Sequence, residues 1–264
     1  AARQAFRSRA DGQQLRELVI AYSPQFAVYF ASNGGARYQY GMWEDYFRRI
    51  DRKYVVVTRT PAMARQIAEL TDAPVIYRQT LRSLDDVDVP SLSTVSYVNQ
   101  APGNTHMAER PELTNVWLNH GDSEKPACFN PVHGIYHYIF AAGQAGIDRY
   151  ARHGVRIPRE KFMIVGRPQV ELISAARGPI AGLSDRTVLY APTWVGPYKD
   201  TEVYSLPVGE ELVRRLLQRD VRVIFRAHPL NYGQDEGRAL VAKVQQLLAQ
   251  DARETGREHL WGPA

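Results

Sequence analysis

The sequence predicts an α/β protein with mostly parallel β-sheets. Short apolar runs rich in Val, Ile, Phe and Tyr alternate along the chain with longer segments in which apolar residues recur every three to four positions. Glycine and proline separate the two kinds of segment. This alternation indicates strands joined by helical crossovers, because parallel strands need a long connection that a helix commonly supplies.

The first part of the chain contains a series of predicted strands. Each is a short apolar run that ends at a turn residue or a polar segment. In chain order these strands are 26–31, 54–58, 74–80, 94–101, 115–120, 138–143 and 162–168.

Helices are expected between several of these strands. After the first strand, apolar side chains at i, i+3, i+4 and i+7 form one stripe, which consists of Trp43, Tyr46, Phe47 and Ile50. Pro61 is predicted to open the next helix, at a position where its missing N–H does no harm. Another helix is predicted to end at Gly154.

A second lobe is predicted after a loop-like stretch of small residues at 178–184. We therefore divide the chain into domains 1–177 and 178–264. In the second domain, 187–194 and 221–229 are predicted to be strands of the fully buried kind, and each is followed by a helix. Two strands make too small a sheet to close such a domain, so we expect this lobe to be incomplete.

Composition and charge exclude some classes of function. With 44% hydrophobic and 23% charged residues, the 264-residue chain has the composition of a folded globular protein. It contains no run of about 18 apolar residues, the length that a membrane span requires. A net charge of +5 favours anionic partners, but the basic residues are spread out, so we expect no nucleic acid. The single cysteine, Cys128, fits the cytoplasm.

Several predicted strands end in polar residues that are candidates for a site. Ligands of open α/β sheets bind outside the carboxyl ends of the strands. His120 follows one strand of the first lobe, and Gly166 and Arg167 follow another. Thr193 and His228 end the two strands of the second lobe, where adjacent parallel strands would place them side by side. Each feature also has a purely structural interpretation: the histidines could be packed residues with their hydrogen bonds made inside the protein, and the Gly166 and Arg167 segment could be a tight turn.

Four motifs in this order resemble the CDP-glycerol glycerophosphotransferase family, which builds polymers of the teichoic-acid type. They are "HGDSEKP", "VGRPQVE", "VLYAPTW" and "FRAHP", and the resemblance covers roughly Trp117 to Pro229. The chain departs from the family pattern at Asp122 and Ser123, where a threonine is usual, and at Gln169, where an arginine is usual. The stretch "AAGQAGIDRYARHGV" suggests an actinobacterial-type branch.

The resemblance implies a GT-B fold with two Rossmann-like lobes facing a cleft, the first on the acceptor side and the second on the donor side. The family's Ser-Asp-x-Ser-Ser motif would lie beyond Ala264, so we expect the chain to belong to a longer protein and to need that segment for catalysis. The implied reaction transfers glycerol phosphate, or a related polyol phosphate, from a CDP-activated donor to a polymer hydroxyl, and CMP leaves.

The resemblance also implies roles for individual residues. His120 would be the general base and His228 would hold the donor pyrophosphate, so both count as catalytic candidates. The remaining donor phosphate ligands would be Arg226, Thr193, Arg167 and Gly166.

Asp122 and Lys125 are candidates on the acceptor side, each with two interpretations. Asp122 either orients His120 or caps the following turn, and Lys125 either meets an acceptor phosphate or is a solvated loop lysine. No cluster of histidines and carboxylates has the spacing of metal ligands, so we expect no metal and no cofactor.

The implied partners are CDP-glycerol or a similar CDP-polyol, a lipid-linked polyol-phosphate polymer, and the inner surface of the cell membrane. We therefore expect a cytoplasmic enzyme that attaches peripherally to that surface. Two alternatives stay open. One is a sugar-nucleotide enzyme of the same fold, either a glycosyltransferase or an epimerase, and the other is a non-catalytic homologue that binds polyanions.

Overall fold

The structure, a computed structural model, consists of two compact units, Ala1–Ile173 and Ser174–Ala264. It describes residues 5–6, 12–32, 36–174, 178–183, 185–196 and 204–263. Ser184, in the predicted linker, lies outside these ranges. The assignment of the two units to an acceptor side and a donor side stays a prediction.

The first unit is built on one parallel sheet of eight strands in its described part. The strands are β1 (Ala5–Phe6), β2 (Phe26–Phe30), β3 (Tyr54–Thr58), β4 (Val75–Tyr77), β5 (Thr94–Tyr97), β6 (Thr114–Trp117), β7 (Tyr138–Ala141) and β8 (Phe162–Ile164). Their order across the sheet is β1-β4-β3-β2-β5-β6-β7-β8. The order reverses between β2 and β5, and such a reversal leaves a crevice at the carboxyl edge where ligands of this class of sheet bind.

Helices cover this sheet on both faces. They are α1 (Gly12–Tyr22), α2 (Arg37–Arg49), α3 (Pro61–Ala68), α4 (Thr105–Ala108) and α5 (Gln144–Arg152). Helices α1, α4 and α5 contribute to one apolar core, and α2 and α3 contribute to the core on the opposite face. Because both faces are covered there, β2 and β3 are buried along their whole lengths.

The ends of the helices follow from local chemistry. Thr60 caps α3 by accepting a hydrogen bond from the Met63 amide at 3.2 Å, and Pro61 occupies the first helical position as predicted. Helix α5 ends just before Gly154, whose φ of +72° lies in the left-handed region. The predicted stripe of α2 is right at Trp43 and Phe47 but wrong at Ile50, which is 47% exposed because the helix ends before it.

The second unit has a parallel sheet of three strands within its described residues, in the order β11-β10-β9. These are β9 (Thr187–Tyr190), β10 (Arg222–Ala227) and β11 (Leu260–Pro263). Helices α6 (Gly209–Leu217) and α7 (Asp235–Thr255) pack against the sheet in one shared core. The third strand goes beyond the two that the sequence predicts.

The prediction that the strands of the second unit are fully buried is wrong. Along β10, Val223, Phe225 and Ala227 are buried while Arg226 between them is exposed, and Leu189 of β9 is 63% exposed. The alternation arises because α6 and α7 both pack on the face that carries Phe225. Among the described residues of both units, no helix combines the length and apolar character that crossing a membrane requires.

Candidate functional site

His120 lies at the carboxyl edge of the first sheet, three residues after β6. The preceding Asn119 has a φ of +62°, a left-handed conformation that asparagine tolerates better than most residues. Its side chain accepts a hydrogen bond from the His120 amide at 2.8 Å and donates one to the Gly121 carbonyl at 2.6 Å. The Trp43 indole N–H donates to the Asn119 carbonyl at 2.6 Å. The turn that presents His120 is therefore fixed from both sides.

The ring nitrogens of His120 have different partners. Nδ1 lies 3.1 Å from the Val98 carbonyl oxygen at the end of β5, and because a carbonyl only accepts, Nδ1 must carry the proton. Nε2 is then an acceptor, and it lies 3.3 Å from the amide nitrogen of Gln39 on α2. Burial lowers the pKa of His120, and the Val98 contact opposes this only in part. The ring is thus a neutral imidazole at pH 7 with its lone pair on Nε2, as a general base requires.

A small cavity of about 60 Å³ lies beside His120. It brings together four of the residues predicted from the sequence, namely His120, Asp122, Gly166 and Arg167. This volume is well above the roughly 15 Å³ that one water molecule requires, so the cavity accommodates a small polar group. All of its lining residues belong to the first unit.

Arg149 is a lining residue that the sequence interpretation missed. It is buried on α5, and its guanidinium makes ion pairs with Asp122 and, at 2.8 Å, with Glu124. The hydrogen bond from Arg149 lowers the pKa of the Glu124 carboxyl. A signal was present, because Arg149 lies between Ile147 and Tyr150 on the apolar face of α5, where an unpaired charge would be costly.

The structure gives Asp122 and Lys125 local partners. The Asp122 carboxylate accepts a hydrogen bond from Arg149, and the Val98 carbonyl is the group that orients the His120 ring. The Lys125 amide donates to the Ser123 hydroxyl at 3.3 Å and precedes a short 3₁₀ turn. The acceptor contacts predicted for these two residues stay predictions.

The turn formed by Gly166 and Arg167 follows β8. Gly166 has a φ of +77°, which strongly favours glycine, and Arg167 is exposed. The turn is held by α2, because the Tyr46 hydroxyl donates to the Pro168 carbonyl at 2.5 Å. Helix α2, which also supplies Trp43, therefore supports both the His120 turn and this one.

In the second unit, the predicted residues gather at the carboxyl edge of the sheet. Thr193 and His228 follow β9 and β10, which are adjacent and parallel. The Thr193 carbonyl accepts a hydrogen bond from the side-chain amide of Asn231 at 3.4 Å, and the Trp194 ring stacks on His228 with the ring centroids 6.1 Å apart. Nδ1 of His228 accepts from the Leu230 amide at 3.2 Å, so Nε2 carries the proton of the neutral ring. Arg226 is exposed two residues earlier.

The chemistry of both edges suits an anionic group better than a cation. Each edge pairs a histidine with an exposed arginine, Arg167 in the first unit and Arg226 in the second. Within the described residues, no group of three or more His, Cys, Asp or Glu side chains could hold a metal ion.

The structure of this chain is similar to those of known proteins. The chain resembles a glycosyltransferase from Rickettsia africae with a TM-score of 0.54 and 10% identity, over 90% of this chain and 68% of that one. It also resembles HepE from Anabaena, solved with UDP and glucose, with a TM-score of 0.48 and 14% identity, over 90% and 69% of the two chains. No protein-family model matches, and no curated protein does. The Rickettsia likeness confirms the predicted α/β, GT-B-like fold class and, at this identity, shows the fold alone.

Proposed function

We propose that the protein is a transferase that moves a group from a nucleotide-activated donor to a hydroxyl of an acceptor. The observation that carries this proposal is the state of His120, a neutral imidazole that lines a small cavity and whose Nε2 accepts a hydrogen bond from the Gln39 side chain. An acceptor hydroxyl that takes the place of this amide would meet the Nε2 lone pair. An alcohol is a poor nucleophile at neutral pH, and a histidine in this state can take its proton. Gly166 and Arg167, on the same cavity, would meet the transferred group.

We infer that the transferred group is glycerol phosphate or a related polyol phosphate and that the donor is CDP-activated. The four ordered sequence motifs support this choice of donor. In the reaction, the acceptor O–H bond breaks and its proton goes to Nε2 of His120. The oxygen forms a bond to the β-phosphorus of the donor. The bond from that phosphorus to the bridging oxygen breaks, and CMP leaves with the electron pair.

On this proposal the second unit holds the donor. His228 supplies an N–H that donates a hydrogen bond to the phosphates, and Arg226 supplies a positive charge. The Thr193 hydroxyl can donate a further hydrogen bond to the same phosphates. His228→Ala should therefore weaken donor binding by about 1.5 to 3 kcal/mol, the value of a hydrogen bond to a charged group. Calorimetric titration of CDP-glycerol measures this loss. The acceptor would be a lipid-linked polyol-phosphate polymer at the inner membrane surface.

A second candidate is a glycosyltransferase that uses a nucleotide sugar. The likeness to the Rickettsia glycosyltransferase favours it, because that protein shares the fold over 90% of this chain. The same base would then activate a hydroxyl for attack on a sugar carbon instead of a phosphorus. The two candidates differ in the nucleotide product, which is a monophosphate for polyol-phosphate transfer and typically a diphosphate for sugar transfer.

The deciding experiment identifies that product. The full-length protein is incubated with CDP-glycerol, CDP-ribitol or a UDP-sugar and a hydroxyl-ended acceptor, and the released nucleotide is identified by chromatography. Release of CMP from a CDP-polyol supports the first candidate, whereas release of UDP from a UDP-sugar overturns it in favour of the second. Release should depend on His120 and persist in His106→Ala, a control at another histidine of the first unit.

A further inference from the structure

The side chain of Gln39 lies against the nitrogen that would act as the base. Its amide nitrogen is 3.3 Å from His120 Nε2 and 3.3 Å from the Tyr38 hydroxyl oxygen. Its carbonyl oxygen, Oε1, is buried and has no hydrogen-bond partner among the described residues. A buried acceptor without a partner is costly, and such groups in folded proteins call for an explanation.

The orientation of this amide follows from the state of His120. Because the Val98 carbonyl requires the proton on Nδ1, Nε2 of the neutral ring can only accept a hydrogen bond. Of the two polar ends of Gln39, only the amide nitrogen can donate one. Turning the amide over would place two acceptors against each other. The contact with His120 therefore fixes the orientation of the amide and leaves Oε1 unpaired.

We propose that Gln39 selects acceptors that carry a second hydroxyl on the carbon next to the reacting one. The proposal rests on the proposed function, in which His120 is the base. The two nitrogens are in direct contact, so the Gln39 side chain must first move away from His120. A reacting hydroxyl that takes the vacated place donates to His120 Nε2 and accepts the N–H of Gln39. A hydroxyl on the neighbouring carbon then donates to Oε1, so one amide contacts both oxygens of the diol.

This arrangement explains why the site would bind a diol more tightly than a simple alcohol. A site built to bond a particular hydroxyl rejects an analogue that lacks it, because the buried protein group is left unpaired. When a simple alcohol is bound, Oε1 of Gln39 still has no hydrogen-bond partner. The difference in affinity between a diol and the matching alcohol should be about 5- to 150-fold, the usual range for one buried polar group left without its partner.

The test uses two phosphates of equal charge and chain length that differ by one hydroxyl, glycerol 3-phosphate and 3-hydroxypropyl phosphate. Each is titrated into the protein while the ring signals of His120 are followed by NMR. The unaltered protein should prefer the diol by at least about 5-fold. Gln39→Met, which keeps the shape of the side chain without its polar atoms, should bind the two equally. Gln13→Met, the same change in the first turn of α1, should keep the preference.

Three results would overturn the proposal: no binding of glycerol phosphate, equal binding of the two phosphates by the unaltered protein, or a preference that survives in Gln39→Met. Thermal unfolding shows whether the Gln39→Met variant is folded. If it is not folded, the affinities of the unaltered protein for the two phosphates still test the proposal. Failure of the proposed function has a different signature, because nucleotide release would be absent while the preference in the titration stayed intact.

Discussion

Two histidines of the first unit, the buried His133 and the partly exposed His120, show how neighbours decide what a side chain can do. Both ring nitrogens of His133 are occupied within the core, Nδ1 by the Tyr150 hydroxyl at 2.6 Å and Nε2 by the Gln100 side chain at 3.1 Å. Its ring also stacks on Trp117. Nε2 of His120 also contacts a glutamine side chain, but the His120 ring is partly exposed and lines the cavity. His133 is thus a core residue and His120 a candidate for chemistry.

The first prediction concerns the rate and its pH dependence at His120. His120→Ala should lower kcat about 10²- to 10⁴-fold, the usual contribution of a positioned base, with donor affinity nearly unchanged. Burial lowers the pKa of His120 below its usual 6.5, so the ring is neutral at pH 7 and the acid limb of kcat/KM should lie below pH 6.5. Steady-state kinetics across pH 4.5 to 8 checks both statements, and near-normal turnover in the variant would make the His120 turn purely structural.

The second prediction concerns stability and His133. Burial lowers the pKa of His133 to about 4, whereas an unfolded chain leaves it near 6.5. Between these two values the unfolded state binds a proton that the folded state does not, so stability rises with pH. Lowering the pH from about 6.5 to about 4 should therefore remove up to about 3 kcal/mol. Urea unfolding at several pH values measures this slope.

A matched pair of variants isolates the contribution of His133. The slope between pH 4 and 6.5 should be smaller in His133→Gln, which has no titrating ring. His153→Gln, at a histidine whose side chain is 41% exposed, should keep the slope of the unaltered protein. An equal slope in all three proteins would contradict the assignment.

At the scale of elements, helix α2 contributes more to the site than its pattern predicts. The apolar stripe predicts that Trp43 and Tyr46 pack against the sheet, but their polar atoms also bond the two turns of the site. Gln39, on the same helix, contacts His120. Periodicity carries information about which face of a helix is apolar and none about which loop an indole N–H or a hydroxyl meets. The position of His120 after a strand was predictable from the sequence. The contacts that Trp43, Tyr46 and Gln39 make with the turns of the site were not.

The third prediction concerns the turn after β8. Gly166→Ala should destabilise the first unit by about 1 to 2 kcal/mol, the cost of a side chain in the left-handed region at φ +77°. An added Cβ would meet no atom within 4 Å, so this cost is conformational and not steric. Gly134→Ala is the matched control, since its φ is not positive and its Cβ would make only an ordinary contact. Denaturant unfolding checks both variants, and equal losses would contradict this explanation.

At the scale of the whole molecule, local sequence predicts the elements better than their arrangement. Every strand of the first sheet except the two-residue β1 is visible in the sequence as an apolar run. The pattern is strongest at β2 and β3, where five consecutive residues are buried. The order of the strands is not visible, since it depends on which way each crossover turns. The burial of β9 was mispredicted because an apolar run does not tell whether one face or both will be covered.

The last prediction concerns the charge of the whole chain and the proposed membrane-bound acceptor. A net charge of +5 favours electrostatic attachment to an anionic surface. Each basic residue near such a surface contributes about 1 kcal/mol, and the attraction decays over about 10 Å at 0.1 M salt. The protein should therefore sediment at low salt with vesicles that contain anionic lipid, and it should not bind neutral vesicles. At about 0.5 M salt it should be released, because screening shortens the range of the attraction. Binding that does not change with salt would point to apolar insertion instead, and no binding at low salt would remove the membrane surface from the proposed partners.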